Sequence, residues 1–163
     1  MIGLDTVEIA PRINGRETVL EVPVRMTLAE TLRDRLGLYG VKVSCEMQVC
    51  GVCTVLVDGQ PVSSCTFLAA DTDGRRVLTV EGLAEGDRLH PIQQAFVDRF
   101  ALQCGFCTPG FIMMTKHLLE RSPLPDREEI VEHFDGNLCR CTGYAPIIEA
   151  VQDAAGRLGR RGS

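Results

Sequence analysis

Eight cysteines in a chain of 163 residues fall into two groups of four, and this grouping constrains the fold more than any other feature. The first group is Cys45, Cys50, Cys53 and Cys65; the second is Cys104, Cys107, Cys139 and Cys141. Cysteine makes up about 5% of the residues, below the roughly 8–10% that marks short secreted disulfide scaffolds. The N-terminal run MIGLDTVEIAPRING has neither the basic nor the apolar segment of an export signal, and no apolar run reaches the length of a membrane helix. Eight thiols in such a chain predict metal binding or redox chemistry in a soluble, cytoplasmic protein rather than disulfides. A net charge of −5, no Trp and two Tyr exclude the phosphate-neutralising face of a nucleic-acid binder, and no membrane insertion is expected. Two groups of cysteines predict two sites and two domains, residues 1–84 and 85–163.

The periodicity of the first half predicts a small sheet with one helix on its face. VEIAPRING and RETVLEV read as strands around Asn14-Gly15, a pair that tolerates the positive φ of a two-residue hairpin turn. TLAETLRDRLG reads as a short amphipathic helix, with Thr27 and Glu30 as a capping box, Leu28, Leu32 and Leu36 on one face, and Gly37 as its stop. TVLVDGQPVSSC gives two strands around Asp58-Gly59, with Cys65 at the end of the second, and VLTVEGL gives one more strand.

From Asp87 onward the pattern becomes helical, with the domain boundary in the polar stretch from Gly82 to Arg88. HPIQQAFVDRF places Ile92, Phe96 and Phe100 on one helical face; TPGFIMMTKHLLE starts with Thr108 as cap and Pro109 in its first turn. DREEIVEHFDG is capped by Asp126 and stopped near Gly136, and APIIEAVQDAAGRL puts Ile147, Ala150, Val151 and Ala154 on one face. SPLPD divides these into two pairs, each a helix, a cysteine loop and a helix. The basic end, GRLGRRGS, reads as a frayed tail.

Cys45-x4-Cys50-x2-Cys53 is the spacing of plant-type 2Fe-2S sites, in which three thiolates share one tight loop and a distant fourth closes the set. Cys65 is the natural fourth, and Gly51 lets backbone N–H groups approach the sulfides. Cys104-x2-Cys107 with Cys139-x1-Cys141 is a rarer pattern that can serve the two irons of one cluster. Both pairs precede helices whose N-terminal N–H groups would offset cluster charge. A structural zinc site is the alternative at either group.

CEMQVCGVCTVLVDGQPVSSC, TVEGL, LHPIQQAF, QCGFCTPGFIMM and GNLCRCTGY together resemble the small iron-sulfur subunit of the xanthine oxidase family of molybdenum hydroxylases, over about Val7 to Val151. The resemblance implies an α+β chain: an N-terminal β-grasp, plant-type ferredoxin-like domain followed by a C-terminal all-α four-helix domain, each with one 2Fe-2S cluster. It implies that the Cys104, Cys107, Cys139 and Cys141 cluster lies nearest a molybdopterin-type molybdenum cofactor on a large subunit. The Cys45, Cys50, Cys53 and Cys65 cluster would pass electrons to FAD on a medium subunit, in a heterotrimer or its dimer. Gln103 resembles the residue that hydrogen-bonds the pterin, with Cys141 also near it. The family usually has Gly where this chain has Gln48, so a positive φ there would strain the first loop.

His90, His117 and His133 read as structural, since each cluster already has four thiols, and Met113 and Met114 read as core fillers. No phosphate loop, serine nucleophile or carboxylate pair stands out, so the chain is expected to relay electrons without substrate chemistry of its own. A free-standing electron carrier and a colourless zinc protein are the rival readings.

Overall fold

The fold was described on a computed structural model covering residues 5–160. The last three residues of the basic tail lie outside the described residues. Seven strands are present there: β1 (Thr6–Ile9), β2 (Arg12–Ile13), β3 (Arg16–Glu17), β4 (Leu20–Pro23), β5 (Thr54–Val57), β6 (Gln60–Ser63) and β7 (Arg76–Leu78). β1 and β4 form an antiparallel pair, and the remaining strands form one mixed sheet in the order β3-β2-β7-β5-β6, with β2 and β7 parallel. The Asn14-Gly15 and Asp58-Gly59 pairs both take positive φ and close hairpins with Ile13 opposite Arg16 and Val57 opposite Gln60. The first hairpin is broken after β1, so the outer strands pair separately. VLTVEGL yields only β7 before the chain tightens into a 3-10 turn at Val80–Leu83.

Helix α1 begins at Leu28–Glu30 and widens into a π-type turn over Thr31–Arg35. Its capping box forms as expected: Glu30 N–H donates to Thr27 Oγ1, and the Glu30 carboxylate accepts from Thr27 N–H. Leu28, Ala29 and Leu32 of α1 pack on Ile13, Val55, Val57 and Val77 of the sheet. β5 is buried along its whole length, because Leu56 faces the other way into a core shared with the helical half.

That half contains α2 (Pro91–Asp98), α3 (Thr108–Arg121), α4 (Arg127–His133) and α5 (Ala145–Gly159). The chain is therefore α+β, a ferredoxin-like sheet domain followed by four helices. α2 and α5 are tied by Arg157, which reaches Asp98 at 2.7 Å and Asp153 at 2.6 Å. Arg157 lies on the last turn of α5, which runs through Gly159, so the first half of the expected tail is helix. Phe111 meets Phe134 edge to face at 5.0 Å, joining α3 to the end of α4.

Two expectations fail for the same reason, that periodicity does not show where a helix starts or stops. Phe100 was expected on the buried face of α2; the helix ends at Asp98, Phe100 turns to φ +51°, and its side chain is 81% exposed. Thr108 was expected as the cap of α3; it is instead the first helical residue, preceded by Cys107, and its buried hydroxyl has no protein partner. Asp126 does cap α4, accepting from Glu129 N–H at 2.8 Å. No helix among the described residues is long and apolar enough to cross a membrane.

Candidate metal centres

The first group of cysteines sits on the loop between α1 and β5, closed by the hairpin that brings Cys65 back. The loop bends through positive φ at Glu46 (+54°), Gln48 (+62°) and Gly51 (+69°), which turns successive N–H groups inward. The N–H groups of Met47, Val49 and Cys50 converge on Cys45 and hold its thiol down at about 6. Val49 N lies 3.4 Å from Cys45 Sγ. Cys53 is different: burial, opposed in part by Cys65 N–H, pushes it up to about 11. Ser64, fully buried, donates to the Cys53 carbonyl at 2.6 Å and fixes the base of the loop against β6.

The second group comes from two loops, one before α3 and one before α5. Cys141 Sγ lies 3.6 Å from Cys104 Sγ, and both residues are exposed; Cys107 is buried and interacts with half-buried Cys139. Burial first, then its neighbour Cys139, pushes Cys107 up to about 12. Burial also opposes ionisation of Cys139, but the hydroxyl and N–H of Thr142 and the N–H of Cys141 hold its thiol below the ordinary range. Gln103 is exposed beside Cys104.

The thiols thus meet in pairs, Cys45 with Cys50, Cys53 with Cys65, Cys104 with Cys141 and Cys107 with Cys139. Two thiolates on one tetrahedral metal, with metal–sulfur bonds of about 2.3 Å, lie about 3.7 Å apart, close to the Cys104–Cys141 separation. Two thiolates per metal suit two irons bridged by sulfides. Cys53 and Cys107 need a neighbouring cation to ionise near neutral pH, and the unpartnered hydroxyl of Thr108, next to Cys107, suits a sulfur acceptor. These residues fit a 2Fe-2S cluster in each group.

The groups meet across a seam that the sequence reading missed. Leu138 N–H donates to the Cys50 carbonyl at 3.0 Å, one residue before Cys139. Asn137, buried, donates to the Gly51 carbonyl at 3.3 Å. Gly110 on α3 faces the same carbonyl so closely that a Cβ there would overlap it, and a Cβ on Gly51 would strike the Asn137 amide. Thr142 and Tyr144 were also missed, although the recurring Cys-Thr dipeptide offered a signal. The histidines lie elsewhere: His90 caps α2 through Nδ1, and His117 stacks on His133 with ring centroids 5.2 Å apart.

Two family models match in order: a 2Fe-2S iron-sulfur cluster binding domain over residues 11–83 and a 2Fe-2S binding domain over residues 79–152. The chain is 52% identical to the nicotine 6-hydroxylase small subunit of Paenarthrobacter nicotinovorans, covering 96% of this chain and 94% of that one. It is 45% identical to an aldehyde oxidoreductase of Megalodesulfovibrio gigas, where 88% of this chain corresponds to 16% of a longer protein. The crystal structure of quinoline 2-oxidoreductase from Pseudomonas putida 86 contains a chain that superposes with a TM-score of 0.92 at 46% identity, covering 96% of this chain and 98% of that one. Matched along nearly its full length and through both cluster-binding regions, the chain belongs to the 2Fe-2S electron-transfer subunits of the xanthine oxidase family of molybdenum hydroxylases.

Proposed function

We propose that Cys45, Cys50, Cys53 and Cys65 hold one 2Fe-2S cluster in a domain spanning residues 1–84. In the same reading Cys104, Cys107, Cys139 and Cys141 hold the second, in residues 85–163. The chain relays electrons from a molybdenum cofactor on a large subunit, through the second cluster and then the first, to FAD on a medium subunit in the cytoplasm. Each bound cluster supplies a one-electron couple. The observation that carries the relay is the 3.0 Å hydrogen bond from Leu138 N–H to the Cys50 carbonyl, which joins the backbone of a first-group cysteine to the residue beside Cys139.

The two ends of the relay differ in exposure. Cys104 and Cys141 are exposed, with Gln103 beside them and Phe100, Leu102 and Phe106 exposed on the same segment, an apolar rim suited to cover by a large subunit. Gln103 and Cys141 are the residues to meet the pterin there. At the first group, Met47 and Val49 are exposed on the loop that would face the flavin subunit. Purification of the tagged chain from its native cell tests this reading. Two larger chains should copurify, with molybdenum and flavin in amounts comparable to the tagged chain. Recovery of the chain alone, with iron but neither molybdenum nor flavin, would overturn it.

A further inference from the structure

Four of the cysteines are followed directly by threonine: Cys53-Thr54, Cys65-Thr66, Cys107-Thr108 and Cys141-Thr142. The four hydroxyls are used differently. In the first group both serve the backbone, Thr54 Oγ1 donating to the Gly51 carbonyl at 2.8 Å and Thr66 Oγ1 to the Ser63 carbonyl at 3.3 Å. In the second group Thr142 Oγ1 lies 3.1 Å from Cys139 Sγ, and Thr108 Oγ1 is buried without a protein partner.

The surroundings of Thr142 settle the direction of its proton. Tyr144 N–H donates to Thr142 Oγ1 at 3.2 Å, which occupies one oxygen lone pair and leaves the hydroxyl proton for sulfur. Thr142 N–H also points at Cys139 Sγ, at 3.4 Å. Cys139 N–H in turn donates to the Tyr144 hydroxyl at 2.9 Å, closing a ring through Cys139, Thr142 and Tyr144. Tyr144 adopts φ +67° just before α5, an uncommon conformation for a bulky residue, and from it supplies both its N–H and its hydroxyl to the ring.

We propose that Thr142 is a positioning residue that raises the reduction potential of the second cluster through its O–H···S bond to Cys139. The proposal rests on the ligand assignment made above. Accepting one electron takes a four-thiolate 2Fe-2S cluster from a charge of about −2 to about −3, with one ferric iron becoming ferrous and no proton required. A donor on a ligand sulfur stabilises the more negative state and so favours reduction. Neither threonine of the first group places its hydroxyl on sulfur, so this device sets the two clusters apart.

An EPR-monitored redox titration with dithionite, on the full chain carrying both clusters in its complex, tests the proposal. Two signals from the unmutated protein test the ligand assignment before any variant is made. Thr142→Val and Thr142→Ala should each disfavour reduction of the second cluster by up to about tenfold, equal to about 59 mV for a one-electron couple, while the first cluster stays in place. Thr142→Ser, which keeps the hydroxyl and loses the methyl, should titrate like the unmutated protein, and so should Thr66→Val. Unchanged potentials in the Val and Ala variants would overturn the proposal. So would a Ser variant that shifts with them, or loss of the second cluster from both Val and Ala, which would mark a purely structural role.

Discussion

At Gln48 the backbone takes φ +62°, a region that costs an L side chain about 1–2 kcal/mol, and the side chain is exposed. Gln48→Gly removes that strain but adds freedom to the unfolded chain worth about 0.5–1 kcal/mol, so a gain of up to about 1.5 kcal/mol is expected. Gln48→Val, β-branched, should lower stability by a similar amount; thermal midpoints of the cluster-loaded chain check both. The same inward-turned N–H groups make Cys45 the acidic thiol of its loop, at about 6, while Cys53 stands at about 11 and Cys107 at about 12. In the cluster-free chain at pH 7, iodoacetamide should therefore modify Cys45 well ahead of Cys53 and Cys107, and the Cys45 rate should fall as pH drops below about 6, read by mass spectrometry. The approach of the cysteines within each group was legible in the sequence because spacing along a loop survives as proximity in space. The roles of Thr142 and Tyr144 were not, because their hydrogen bonds depend on the chain reversing at Tyr144.

Helices and strands were legible where caps and turn pairs are local, as at Thr27, Asp126 and Asp58-Gly59. The seam was not, because it joins Gly51, Gly110 and Asn137, residues far apart in sequence whose importance lies in what their small size or amide allows. Gly110→Ala would drive a methyl into the Gly51 carbonyl and push α3 off the cluster loop, with an expected cost of about 1–3 kcal/mol and a lower thermal midpoint. Between α3 and α4, His117 Nδ1 and His133 Nε2 lie 3.4 Å apart, and His133 Nε2 also lies 3.1 Å from the Met114 carbonyl. Burial, and then the neighbouring His133 and Arg121, hold His117 below its ordinary 6.5; burial does the same to His133. The unfolded chain therefore binds more protons than the folded one as pH falls through 6.5, so stability should decline from pH 7 to pH 5. Thermal midpoints across that range that stay level or rise would contradict this.

For the whole molecule, Cys50, Val52, Leu56 and Leu83 share one core with Phe96, Phe111 and Ile147, so the sheet domain and the helices are not independently packed bodies. The two-group cysteine pattern conveyed two sites but not this continuity, since a shared core leaves no mark in the spacing. Each half on its own would be a marginal core, which a cluster bound in each, together with the seam, would stabilise. Service of the eight cysteines as two separate sets of four is tested most directly by EPR of the dithionite-reduced full chain with Cys50→Ser and Cys139→Ser variants, alongside iron and acid-labile sulfide analysis. Unmutated protein should give two distinct signals with about four irons and four sulfides per chain, and each substitution should abolish or reshape one signal while the other persists. A colourless chain holding zinc, or a single signal altered alike by both substitutions, would contradict it.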